Sequence, residues 1–134
     1  MKKLILILLI CPLILLCGFK KQQKPYAVLS ISKITQQTIN RTERFFFPKQ
    51  KIYYAVFAPD GFKYDGIRMQ LSKQDDKTAN WGFTIVDSKD IYVVKGDSEY
   101  KDYVVPRTKG HYIIQFFYLN NKRYPFIHRE FIVE

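Results

Sequence analysis

Beyond residue 25 the chain is built of short stretches in which apolar and polar residues take turns, interrupted by Pro, Gly, Asp and Asn. Side chains of an extended strand point alternately to opposite faces, so a two-residue period marks a strand with one face on a core and the other in water. Tyr26 to Lys33 has this period, with Ala27, Leu29 and Ile31 set against Ser30 and Ser32. Thr35 to Arg44 is polar and reads as a loop or a short helix. Lys51 to Ala58 is strand-like and closes on Pro59-Asp60-Gly61, where proline presets φ and glycine tolerates positive φ. After a second turn signal at Asp65-Gly66, Ile67, Met69 and Leu71 alternate with Arg68, Gln70 and Ser72.

The second half continues the pattern. Gln74 to Asn80 is a polar loop, and Trp81 to Val86 is a strand expected to point Phe83 and Ile85 inward. Ser88-Lys89-Asp90 then reads as a turn, Ile91 to Val94 as a short strand, and Lys95 to Asp102 as a charged loop before the chain re-enters the core at Tyr103. Tyr112 to Leu119 is apolar on both sides, as a central strand would be. Asn120-Asn121 is a turn able to take positive φ, and the return arm Lys122 to Glu134 carries Pro125 near its start, which places that part at an edge. Phe131 and Val133 alternate with Glu130 and Glu134. No internal repeat and no long amphipathic helix are legible. About seven short strands with turns roughly every eight to twelve residues predict an all-β sandwich or a small barrel.

The first seventeen residues are different: Met1-Lys2-Lys3 precedes an apolar run from Leu4 to Leu16, which stops at Cys17-Gly18. This layout resembles a bacterial lipoprotein signal. The resemblance implies that Cys17 takes lipid (palmitate among its acyl chains) and becomes the new amino terminus. Residues 1–16 are then a signal peptide, residues 17–25 a lipidated, basic tether, and residues 26–134 the folded domain. It also implies a place in the bacterial cell envelope, with a membrane anchor and the domain outside the cytoplasm. The family usually has Gly, Ala or Ser before the cysteine, where this chain has Leu16. Two other readings therefore stay open. One is an uncleaved anchor over Leu4 to Phe19, close to the lower limit of about 17 residues for a spanning helix; the other is an ordinary secretory signal.

Charge and cysteine usage narrow the surroundings. The leader holds two of the 22 basic residues and none of the 12 acids, so the remaining 118 residues carry a formal excess of +8. Such an excess favours anionic lipid, cell-wall polymer or an acidic partner, without specificity. Both cysteines, Cys11 and Cys17, precede the domain, which must therefore be stable without a disulfide. Its ten Tyr, ten Phe and Trp81 supply the packing instead.

The last third carries a second resemblance. Lys109-Gly110-His111-Tyr112, followed by Ile113 to Tyr118, Asn120-Asn121 and Phe131-Ile132-Val133, resembles the closing strands of immunoglobulin-like domains on bacterial surfaces. That implies a single immunoglobulin-like antiparallel β-sandwich in which the Tyr112 hydroxyl bonds back to nearby backbone.

Catalytic material is thin. His111 and His128 are the two histidines, no Ser sits in a G-x-S-x-G turn, and there is no Walker or G-x-G-x-x-G motif. The acidic groups Asp75-Asp76, Asp87 with Asp90, and Asp97 with Glu99 lack the spacing of a calcium loop and read as solvated turns. Neither metal nor cofactor is expected. Two segments mix lysine or arginine with aromatic rings, Arg41 to Lys51 and Lys122 to Arg129. A single nucleic-acid strand can stack on such surfaces, but a secreted chain does not meet cytosolic nucleic acid. Within them Phe45, Phe46, Phe47, Arg123, Tyr124 and Phe126 are the candidate contacts for a protein partner. The reading is a non-catalytic envelope lipoprotein that binds or supports another envelope protein. Its alternatives are an accessory or pilot lipoprotein of a secretion or surface assembly, and an inhibitor of a hydrolase.

Overall fold

The computed structural model describes Gly18, residues 20–75 and residues 82–134. The signal segment with Cys17, then Phe19, Trp81 and most of the polar loop after Gln74, lie outside the described residues. Eight strands occur among those described: β1 (Tyr26–Ser30), β2 (Phe45–Phe46), β3 (Ile52–Phe57), β4 (Ile67–Gln74), β5 (Phe83–Ile91), β6 (Glu99–Val104), β7 (Gly110–Tyr118) and β8 (Ile127–Val133). They form a three-stranded sheet in the order β1-β3-β6 and a five-stranded sheet in the order β2-β8-β7-β4-β5. Pairing is antiparallel except between β2 and β8, where Phe45 and Phe46 run parallel to Ile132 and Val133.

This is a β-sandwich: β1, β3 and β6 lie in one sheet and β4, β5, β7 and β8 in the other, with β2 as a short addition beside β8. Inner faces supply the core: Ile52, Tyr54 and Val56 from β3 meet Met69 and Leu71 from β4, Ile114 and Phe116 from β7, and Phe131 and Val133 from β8. Burial of these side chains is the main term holding the sheets together.

Tyr112 behaves as the resemblance implied. Its hydroxyl donates to the Thr108 carbonyl at 2.7 Å, while its ring stacks on Phe131 with centroids 5.4 Å apart. The bond closes the corner by which the chain enters β7. At the Pro59-Asp60-Gly61 turn the expectation also holds. Gly61 has φ +82, and a Cβ there would lie 2.9 Å from the Gly96 backbone, so both the turn and the neighbouring loop require glycine.

Other expectations are corrected by packing. Ile31 is exposed and Ser30 buried, because β1 ends at Ser30 and residues 31–44 cross outside the small sheet. There Ile34 and Ile39 cover Val28, Ala55 and Phe57, so β1 is buried on both faces rather than one. The crossing segment contains turns and no helix: the N–H groups of Thr38 and Ile39 both donate to the Thr35 carbonyl, at 3.0 and 2.9 Å. The expected strand 81–86, turn 88–90 and strand 91–94 become one strand, β5, ending at Ile91. Phe83 and Ile85 point outward, not inward, at 42% and 56% exposure. Likewise Glu99–Val104 is strand β6 rather than the tail of a charged loop. Asn120-Asn121 does form a turn, with the Asn121 N–H on the Tyr118 carbonyl at 3.0 Å, but neither residue takes positive φ. Pro125 lies in the connection before β8, whose first residues have no partner on their outer side.

Candidate partner-binding site

The two sheets differ in width, and the difference exposes a strand. Five strands face three, so β5 overhangs: eight of its nine residues are exposed, and among the described residues it pairs only with β4. Its backbone on the far side is therefore an open edge, the usual place for another strand to add. Polar and charged positions blunt the edge from Asp87 onward. Arg68 on β4 clasps Asp90 in a two-pronged ion pair, Nε to Oδ1 at 2.6 Å and Nη2 to Oδ2 at 2.9 Å. That hydrogen-bonded pairing holds the Asp90 carboxyl below its usual range. Before Asp87 the edge is apolar, with Phe83, Ile85 and Val86 all exposed. Val86 is the additional residue of a bulge, since Leu71 pairs with Asp87 and Ser72 with Ile85. A bulge of this kind turns its side chain away from the regular pleat.

Strand β6 is an edge of the other sheet, and a side-chain strap ties the two edges. Lys89 Nζ lies 2.6 Å from Asp102 Oδ2, which also accepts from the Tyr100 hydroxyl at 3.1 Å. Partial burial works against the Asp102 carboxylate, but the hydrogen bonds from Lys89, the Tyr103 N–H and Tyr100 prevail and hold its pKa below the usual carboxylate range. Burial pushes the Tyr100 and Tyr54 hydroxyls the other way, with Asp102 reinforcing both. The Tyr54 hydroxyl is buried with no hydrogen-bond partner among the described residues. Beside the strap, Leu71, Val86, Asp87, Tyr103, Val105 and Arg107 line a groove of about 670 Å³ between β5 and the β6–β7 connection.

The residues singled out from sequence do not form one surface. Phe46 is core, edge-on to Phe131 at 5.6 Å, whereas Phe45 and Phe47 are exposed at 58% and 69%. Across the sheet Arg123 lies over the exposed Tyr124 ring at 5.4 Å, and Phe126 stacks on Tyr118 at 4.2 Å. Phe45 and Phe46 pair with the last residues of β8, while Arg123 to Phe126 precede its first, so the length of β8 separates the two groups. Cys17 lies outside the described residues.

Sequence reading also set both histidines aside, and the fold brings them together on the outer face of the large sheet. Glu130 sits between them, its Oε2 3.2 Å from His111 Nε2 and its Oε1 3.3 Å from His128 Nε2. The His128 bond, with His111 adding, holds the Glu130 carboxyl below its usual range. Only strand register makes this visible, because His111 and Glu130 are far apart in sequence and meet through the pairing of β7 with β8. Among the described residues no group of three or more His, Cys, Asp or Glu is arranged to hold a metal ion. No helix among them is long and apolar enough to cross a membrane.

No protein-family model matches the chain, and no curated protein matches it. Among solved structures it is similar to a beta-glucosidase from Kluyveromyces marxianus crystallised with glucose, at 13% identity and a TM-score of 0.42, covering 83% of this chain and 14% of that one. It is also similar to Spo0M, a sporulation control protein from Bacillus subtilis, at 7% identity and a TM-score of 0.38, covering 83% of this chain and 49% of that one. The chain thus spans less than half the length of either protein. Likenesses this distant carry no argument about function.

Proposed function

We propose that the chain is a non-catalytic module of the bacterial cell envelope, lipid-anchored at Cys17, whose folded domain captures an extended segment of a protein partner along β5. The observation that carries this reading is β5 itself: nine residues long, exposed at eight, bonded on one side only among the described residues, and bearing exposed Phe83, Ile85 and Val86 in its first half. Main-chain hydrogen bonds to an added strand supply affinity, and side chains that alternate into the neighbouring groove supply selectivity. Tyr103, Val105 and Arg107 stand where such side chains would arrive.

The test is photo-crosslinking in cells, with a photoreactive amino acid placed singly at Phe83, Ile85 or Asp87, and at Phe47 and Tyr124 for comparison. The linked peptides are sequenced by mass spectrometry. Successive β5 positions should link to successive residues of one segment of one protein. Links from Phe47 or Tyr124 alone, or links from β5 scattered over unrelated proteins, would overturn the edge-strand reading.

A further inference from the structure

The outer face of the small sheet carries a second site, which shares Tyr103 with the groove beside β5. Odd-numbered residues of β3 and β6 point to this face, so the register pairs Tyr53 with Tyr103 and sets the small Ala55 opposite Lys101. The two rings meet edge to face at 6.0 Å. Where the crossing segment leaves β1 it places Lys33 and Ile34 against them, and Lys33, Ile34, Tyr53, Lys101 and Tyr103 are among the residues enclosing a pocket of about 320 Å³. Lys51, just before β3, holds its ammonium 4.6 Å above the Tyr103 ring.

The electrostatics are one-sided. Three ammonium groups surround the rings; of these, Lys101 shares its charge with Glu99 at 3.7 Å. Asp102, also on the rim, is neutralised by Lys89. From these features we infer that the pocket binds one ring of an anionic glycan. The apolar C–H face of a sugar would lie on tyrosine, whose ring face carries the negative end of the aromatic quadrupole, and a carboxylate or phosphate on that sugar would meet the lysines. The tether enters at Tyr26, whereas the pocket lies at the Ser30 end of β1, roughly 13 Å away at about 3.3 Å per residue. A glycan and a lipid headgroup share the anionic group, and the glycerol 1-phosphate titration separates them. The inference rests on the envelope reading for where such a polymer is met, and on the sheet geometry for the site.

Titration calorimetry on the full-length chain in zwitterionic nanodiscs tests it, with tetragalacturonate, neutral maltotetraose and glycerol 1-phosphate as probes. Tetragalacturonate should bind, and Lys33→Ala/Lys101→Ala should weaken it by about tenfold or more. Tyr53→Phe should retain binding and Tyr53→Ala should lose it, since the ring face and not the hydroxyl is the contact. The double variant Lys63→Ala/Lys95→Ala, two exposed lysines elsewhere, should change it less than about twofold. Equal losses in both double variants would reduce the interaction to net charge and overturn the site. Tighter binding of glycerol 1-phosphate would overturn the glycan and favour a headgroup. Failure here leaves the β5 crosslinks untouched, and failed crosslinks leave this titration untouched.

Discussion

Strands β7 and β5 are equally long and belong to one sheet, yet none of the nine residues of β7 is exposed while eight of the nine in β5 are. Composition explains part of this, since Gly110–Tyr118 is aromatic and aliphatic where β5 carries Asp87, Ser88, Lys89 and Asp90. Position explains more. Strand β7 is flanked by β4 and β8 and faces the small sheet, whereas β5 extends past the last strand opposite it. After the bulge the register turns Phe83 and Ile85 to the outer face of the large sheet, where Phe83 meets the His111 ring edge-on at 5.9 Å, and both stay largely in solvent, as does Val86 at the bulge. Burial is thus a property of a strand's neighbours, and an overhang leaves apolar surface for another molecule to cover.

Truncation separates the two strands most sharply. Phe116, fully buried on the inner face of β7, should cost about 3 to 5 kcal/mol as Phe116→Ala, while Ile85→Ala on β5 should stay within about 0.5 kcal/mol. Urea denaturation of both variants measures the contrast. A similar cost at Ile85 would mean that β5 is packed and not an open edge.

A smaller effect belongs to the entry of β7. Tyr112→Phe keeps the stack on Phe131 and removes the bond to the Thr108 carbonyl, for an expected loss of about 1 kcal/mol. Tyr92, just past β5 and 82% exposed, should tolerate the same change without measurable loss. An unchanged midpoint for Tyr112→Phe in thermal unfolding would remove the corner bond from the account of stability.

The smallest effect concerns the strap between the edges. Because the folded Asp102 carboxyl titrates below its unfolded value near 4, its pairing stabilises the domain above about pH 4, and that contribution fades as pH falls through the lowered folded value. Lys89→Met should therefore destabilise at pH 7 by about 0.5 kcal/mol or less, since Lys89 is half exposed, and the difference should shrink toward pH 3. A difference that grows on acidification would contradict this assignment. Loosening the strap should not impair the core under β7.

Much of the sandwich was legible in the chain. The alternation of Ile67, Met69 and Leu71 located β4, the apolar run interrupted only by Gln115 located β7, and Gly110 with Tyr112 located the corner. Strand β5 was read as two strands and a turn because its polar middle imitates one. In place, that middle is tied sideways, Asp90 to Arg68 and Lys89 to Asp102, by residues distant in sequence. Phe45-Phe46-Phe47 was legible as an aromatic segment but not as one core ring between two exposed ones, because the parallel pairing with β8 decides which ring turns inward. Phe117 is buried too, yet on the opposite side of β7 from the main core, which leaves Phe116 as the informative truncation.

What the sequence by itself determined was local: the strand periods, the turns that only glycine or proline suits, the excess of positive charge, and an amino-terminal segment with the look of a lipoprotein signal. Those features depend on neighbours in the chain and on side-chain chemistry. The tertiary structure decided which strands stand at edges, that Glu130 lies between both histidines, and that Lys33, Lys51 and Lys101 gather around Tyr53 and Tyr103. Such meetings depend on sheet order and register, and register is set by the sum of many weak pairings along whole strands, which no short stretch of sequence contains.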